Sequence, residues 1–293
     1  MKARVRKGLT VLVALIWVLA VLRVLGVVNL GGAPPEEPPG DVVRAGRPPV
    51  LPAGKRPFGG GEELVYELGW NGVPCGRLSM SLKEDTQDGA KALVLEFETR
   101  TSRSIEWAWT YTSKGTVSFD PETLLPTLST RTRTEDKKVK RITTTFDRRK
   151  QEAETVTEKL YKKSRSVRRV PFELGLDLPS FLVYLRALDL PRDKPTDVEM
   201  IDDEKVYALR LTPADAGELE VKAGRFRAEV VTVQPRLVAG GNEDDEGASY
   251  REIRYWLDRE RRMPLKMEAQ AVVGTVYVEL VSFRAGGEEA KAP

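Results

Sequence analysis

The sequence predicts an all-β, predominantly antiparallel fold: a strongly curved sheet or open barrel with one short helix near residues 178–188, preceded by an N-terminal transmembrane or signal helix. Three observations carry that reading. From Glu62 onward apolar side chains recur with period two. Turn signals separate these runs at short intervals. A single stretch then switches to helical spacing.

At the N-terminus, Lys2, Arg4, Arg6 and Lys7 precede an uncharged run from Gly8 to Leu22, and apolar character resumes after Arg23 through Leu30. A charged stretch followed by an apolar core is the pattern of an export signal. Gly8 to Leu30 is long enough to cross a bilayer if Arg23 reaches back to the interface. No small-residue cleavage site follows, so residues 1–30 read as a signal anchor, with a cleaved signal peptide as the alternative. The basic flank places the N-terminus in the cytoplasm and residue 31 onward outside it. The expected location is the cell envelope: anchored in the inner membrane with the domain outside the cytoplasm, or periplasmic or secreted if the signal is removed. Residues 31–57 include Ala33-Pro34-Pro35-Glu36-Glu37-Pro38-Pro39 and Arg47-Pro48-Pro49. Proline at this density blocks helix and central strand and favours an extended spacer.

Residues 58–286 form the globular part, about 230 residues, enough to bury a core without a metal or disulfide staple. Leu64, Tyr66, Leu68 and Trp70 alternate along the first run. Asn71-Gly72 is a strong hairpin turn, and Leu78, Met80 and Leu82 continue the alternation on the return. Further runs occupy 93–97, 105–111, 116–119, 139–146, 151–160, 205–211, 219–222, 226–233, 250–257, 265–272 and 275–283, with a turn at Gly274. The number of runs and the short turns predict the curved or barrel-like sheet. Phe181, Tyr184, Leu185 and Leu188 share one helical face, Asp177 suits an N-cap, Pro179 fits a first turn and Pro191 stops the helix. Residues 287–293 are expected to be a disordered tail.

Three groups of residues stand in a telling order. Gly61-Glu62-Glu63-Leu64-Val65-Tyr66-Glu67-Leu68-Gly69-Trp70, with Gly76, opens the domain. Asp177, Ser180, Tyr184 and Arg186 mark the helix. Tyr255-Trp256-Leu257-Asp258, Arg262-Met263-Pro264-Leu265 and Gly274 close it. Together they resemble the exported bacterial family called domain of unknown function 3108, over residues 60–285. The resemblance implies an envelope location and an all-β fold. It supplies no catalytic residues.

Composition narrows the chemistry. The chain contains no histidine and one cysteine, Cys75. That excludes serine–histidine triads, cysteine–histidine pairs, histidine-ligated metals and thiolate zinc sites. Cys75 reads as a small buried hydrophobe. The acidic runs Asp202-Asp203-Glu204 and Glu243-Asp244-Asp245-Glu246 lack calcium-loop spacing and read as solvated loops. No metal and no cofactor are expected, and no catalytic residue can be assigned.

Two features point to binding. Residues 131–169 hold 15 Lys and Arg against 6 Asp and Glu. Arg131 and Arg133, then Lys138 and Lys140, alternate along strands and would form one basic face, a site for an anionic glycan, lipid headgroup or acidic protein. A solvated strand face or a blunted sheet edge would look the same. Trp107, Trp109 and Tyr111 would share one face of a strand, as core or as a stacking platform for sugar rings or an apolar ligand. Nucleic acid is not expected, because the basic run carries no interleaved aromatics.

The preferred expectation is a non-catalytic envelope protein. It would bind an amphiphile, an anionic glycan or a protein partner on a curved β surface, held to the membrane by its N-terminal helix. A histidine-independent polysaccharide enzyme using carboxylate, tyrosine or lysine chemistry is the alternative, as is a scaffold for envelope assembly.

Overall fold

The computed structural model describes residues 47–87, 89–107, 109–202, 205–240, 252–270 and 274–286. Its strands are β1 (Glu63–Trp70), β2 (Val73–Gln87), β3 (Ala90–Thr101), β4 (Tyr111–Phe119), β5 (Pro126–Glu135), β6 (Lys138–Asp147), β7 (Glu152–Lys159), β8 (Ser164–Pro171), β9 (Thr196–Asp202), β10 (Lys205–Val221), β11 (Gly224–Ala239), β12 (Ile253–Asp258), β13 (Pro264–Gln270) and β14 (Thr275–Arg284). One helix, α1 (Leu178–Ala187), lies between β8 and β9. All strands join a single antiparallel sheet in the order β8-β7-β6-β5-β4-β3-β2-β1-β14-β13-β12-β11-β10-β9. β8 and β9 are its two edges, so the sheet does not close into a barrel. The chain crosses the gap between them with α1.

The early hairpins follow local chemistry. Asn71 (φ 44°) and Gly72 (φ 79°) both occupy the left-handed region, as a two-residue turn between β1 and β2 requires. Three strands lie where no clear alternation announces them. β5 and β8 carry mostly Thr, Ser and Arg, and edge strand β9 is short. The runs expected at 205–211 and 219–222 belong to one strand, β10, which absorbs Ala216 in a bulge just before Gly217.

The sheet curls tightly around α1. Val117 and Phe119 of β4 share one core with Val198 of β9 and Leu209 and Leu211 of β10. β4 and β9 stand nine places apart in the sheet, about 43 Å if it were flat. A second cluster joins Phe146, Ala153 and Val170 to Ile201 and Val206, drawing the two edges together. Between the edges, the loop after β8 is held from both sides. The Arg148 guanidinium donates to the carbonyls of Leu174, Gly175 and Pro126 (2.5, 3.3 and 2.6 Å). The Glu199 carboxylate accepts from the amides of Glu173, Leu174 and Gly175 (3.0–3.2 Å). Burial pushes the pKa of Arg148 down to about 10, and Arg47 adds to that shift.

α1 forms where expected. The Asp177 carboxylate accepts from the Ser180 amide at 3.0 Å, and the Ser180 hydroxyl reaches the Asp177 amide at 2.8 Å, a complete capping box. The Phe181, Val183, Tyr184 and Leu185 side chains are buried in the core. Residues 47–57, the end of the proline-rich stretch, dock on the domain. Val50 bridges to Leu188, the Leu51 amide donates to the Ala187 carbonyl (2.8 Å), and Arg56 donates to the carbonyls of Leu51, Pro121 and Glu122.

The N-terminal segment 1–30, the tail 287–293 and the acidic run Glu243–Glu246 lie outside the described residues, as do Asp203 and Glu204 of the other acidic run. Among the described residues no helix is long and apolar enough to cross a membrane. Cys75 is buried against Trp70 and Val276, and burial pushes its thiol pKa up.

Two buried phenols make stability fall at high pH. Burial raises Tyr66 and Tyr255 well above the ordinary tyrosine value of 10.0. Near Tyr66, Arg186 and Glu62 act in opposite senses. Above that value the unfolded chain releases these protons while the folded chain keeps them, so the unfolded state binds fewer protons and is increasingly favoured as pH rises. Each phenol should lower the unfolding free energy by about 1.4 kcal/mol per pH unit there. Denaturant midpoints measured across that range check this, and Tyr255→Phe should flatten the slope.

Candidate functional site

The strand register decides where the candidate residues meet. On the face of β4–β8 that also carries Val117 and Phe146, Ser113 lies opposite Arg133 and Arg133 opposite Lys140. Lys140 lies opposite Lys159, and Lys159 opposite Ser164. Three cations thus stand directly side by side across β5, β6 and β7. Directly opposed side chains in neighbouring strands sit about 5 Å apart, and like charges there are destabilising.

The face is graded. The next row toward the core holds Gly115, Arg131, Ile142, Thr157 and Ser166, and the row beyond it Val117, Ser129, Thr144, Thr155 and Arg168. A shared hydrogen bond of 2.9 Å between the Thr144 and Thr155 hydroxyls confirms that these side chains face the same way. Phe146, Ala153 and Val170 follow, inside the second core cluster. From Lys140 to Phe146 the surface passes from cationic to apolar over about 20 Å.

Each predicted residue has a definite place. Arg133 is 6% exposed; its guanidinium lies 3.5 Å from Glu135 and 5.7 Å from the centre of the Tyr111 ring. Lys138 is exposed opposite Glu135, and Arg131 is half-buried opposite Gly115 and Ile142. A side chain at position 115 would meet the Thr130 carbonyl at 2.1 Å and the Phe97 ring at 2.9 Å, so glycine is required for this close packing. Burial lowers the pKa of Lys140, and Arg133 and Lys159 lower it further, while Tyr161 and Glu135 act the other way.

The aromatic row is corrected. Tyr111 opens β4 and is buried, but the described residues between β3 and β4, 102–107 and 109–110, are turn and loop and not strand. The Ile105 amide donates to the Ser102 carbonyl (3.0 Å) and the Trp109 amide to the Ile105 carbonyl (3.1 Å). The Ser102 and Ser104 hydroxyls bond to each other at 2.9 Å. Local bonds of this kind compete with the ladder and break the alternation. Trp109 still stacks on Tyr111, with centroids 5.1 Å apart, so Trp109, Tyr111 and Arg133 make a continuous stack. Trp107 is separate. It is 68% exposed, and its indole N–H donates to the Ser104 carbonyl.

Sequence reasoning missed Lys159 and Tyr161 as members of this cluster. It also missed a buried ion pair under α1. Arg186 donates bidentately to Glu62 (2.6 and 2.7 Å), and both side chains are nearly inaccessible, at 3% and 5%. Arg186 Nε donates to the Arg262 carbonyl and Arg262 Nε to the Arg186 carbonyl, each at 2.9 Å. Arg262 also pairs with Glu229, the Phe58 ring lies 4.1 Å from the Arg186 guanidinium, and the Tyr66 hydroxyl donates to the Pro264 carbonyl. Each of these charges has its partner, so the network reads as a clamp holding α1 to the sheet. Among the described residues no group of acidic or cysteine side chains could hold a metal ion.

The family described as "Protein of unknown function (DUF3108)" matches residues 65–281. No curated protein matches the chain. Among solved structures, the chain is similar to a β-barrel-like protein of domain of unknown function DUF1849 from Brucella abortus, with 12% identity and a TM-score of 0.51, covering 78% of this chain and 98% of that one. A protein from Parabacteroides distasonis matches with 9% identity and a TM-score of 0.35, over 78% of this chain and 98% of the other.

Proposed function

This chain belongs to the family of unknown function DUF3108, and from that premise we propose that it is a non-catalytic envelope module. It binds an anionic group on the cationic end of its curled sheet and is tethered through residues 1–30. One observation carries the reading: Arg133, Lys140 and Lys159 stand directly opposite one another on three neighbouring strands. Such a row costs stability when empty, and a bound anion offsets the cost. Ser113 and Ser164 at its ends and Tyr161 beside it add hydrogen-bonding groups.

The ligand is read as a glycan, headgroup or acidic segment, and not as an apolar cargo. The inner volume is occupied: Tyr184, Phe119, Phe181, Leu95 and Leu185 fill it with fully buried side chains. The enzyme reading gains no support from Glu62, whose two carboxylate oxygens are both taken by Arg186.

Binding of dextran sulfate, a soluble polyanion, tests this. Lys140→Glu with Lys159→Glu should weaken it at low salt by about tenfold or more. Lys140→Met should also raise the unfolding free energy by a few tenths of a kcal/mol, about what one relieved like-charge contact returns. Unchanged dextran sulfate affinity in the double variant would sink the proposal.

A further inference from the structure

Every odd-numbered strand runs toward one end of the sheet, so the turns after β1, β3, β5 and β7 share that rim, while α1 lies at the other end. Exposed apolar side chains concentrate on the rim. Of seven exposed large hydrophobics among the described residues, five are at this end: Val73, Trp107, Leu160, Tyr161 and Val238. Scattered single residues of this kind are ordinary, but a shared end is not. The turns after β3, β5 and β7 interleave them with cations. Arg103, Lys137, Lys162 and Lys163 are all exposed there, and the Lys162 ammonium lies 5.8 Å from the Tyr161 ring centre. The acidic residues of these described turns are Glu106 and Asp136, and Asp136 is engaged by the Thr110 amide and hydroxyl at 3.2 Å.

Tryptophan, tyrosine and leucine exposed beside lysine and arginine match the chemistry of a bilayer surface, whose interface takes amphipathic rings and whose anionic headgroups attract cations. We propose that the rim formed by the turns after β3 and β7 docks the domain on an anionic lipid bilayer. Trp107 and Leu160 enter the headgroup level, and a lipid phosphate is presented to the Lys140–Lys159 row just inside. The inference rests on the anion-binding reading and names the source of the anion. The predicted N-terminal anchor would keep a bilayer within reach.

The test uses the full chain with its N-terminal apolar segment enclosed in a zwitterionic lipid nanodisc, so that sedimentation with added vesicles reports on the rim. The protein should sediment with vesicles containing phosphatidylglycerol and not with pure phosphatidylcholine. Trp107→Ser with Leu160→Ser should weaken vesicle binding by about tenfold or more while leaving dextran sulfate affinity unchanged. Both positions are exposed, so the unfolding midpoint should hold and a folding defect is separable. Wild-type vesicle binding by this variant would overturn the proposal. A parallel loss of dextran sulfate affinity would also overturn it, marking the rim as part of a glycan or protein site. Failure of Lys140→Glu with Lys159→Glu to affect dextran sulfate would instead overturn the anion-binding reading on which the inference rests.

Discussion

Arg186→Met lowers the unfolding free energy by about 3–5 kcal/mol, the cost of leaving a buried charge without its partner. Glu62 then keeps a carboxylate in a site that is 5% exposed, stripped of both guanidinium hydrogen bonds. The loss extends further, because Arg186 Nε also satisfies the Arg262 carbonyl. Glu62→Gln should cost less than Arg186→Met, since a neutral amide is cheaper to bury than an unpaired carboxylate. The double change Glu62→Leu with Arg186→Met should recover part of the loss, because apolar side chains can replace a buried pair with little net penalty. Urea unfolding of the four proteins measures all of this. Equal stability of wild type and Arg186→Met would show that the clamp contributes nothing.

Phe181→Ala removes a comparable amount, about 3–5 kcal/mol, by a different mechanism. Phe181 sits at 1% exposure on the buried face of α1 and meets the Tyr255 ring edge-on, 6.0 Å between centroids at 72°. Its truncation forfeits the transfer energy of the ring and leaves a cavity that flanking strands cannot collapse into. The aromatic contact adds about 0.5–1.5 kcal/mol. Since α1 bridges the gap between β8 and β9, the variant should also loosen that edge, seen as faster amide exchange in β9 than in β2. A uniform change across the sheet would argue that α1 does not pin the opening.

Period-two alternation over Leu64–Trp70 and the Asn71-Gly72 turn announced the first hairpin, because both signals are local. Asp177, Ser180 and the spacing of Phe181, Tyr184 and Leu185 announced α1 for the same reason. β5 and β8 were hidden because Thr, Ser and Arg populate both faces, which leaves no alternation to read. Residues 105–111 misled in the opposite direction. Their aromatic alternation is genuine, yet local serine bonds and an Ile105–Trp109 turn keep Trp107 and Trp109 out of the sheet, and only Tyr111 joins β4.

The candidate site divides similarly. Basic residues clustered in 131–169 are visible in one dimension, and Arg131, Arg133, Lys138 and Lys140 do share a face. That Lys159 completes the row follows only from the β6–β7 register. Glu62, Arg186 and Arg262 each belong to one of the three motifs that carry the family resemblance. Nothing local says that the motifs meet, 124 residues apart in the case of Glu62 and Arg186.

By itself, then, the sequence determined the all-β class, the helix and its cap, the first turn, the lone buried thiol and the family. Each is set by side-chain periodicity or by backbone chemistry within a few residues. The tertiary structure alone decided that the sheet curls until β4 and β9 share a core, that three cations align across β5 to β7, and that the exposed aromatics gather at one rim. Those outcomes depend on strand register and on long-range packing around α1, which no window of sequence contains.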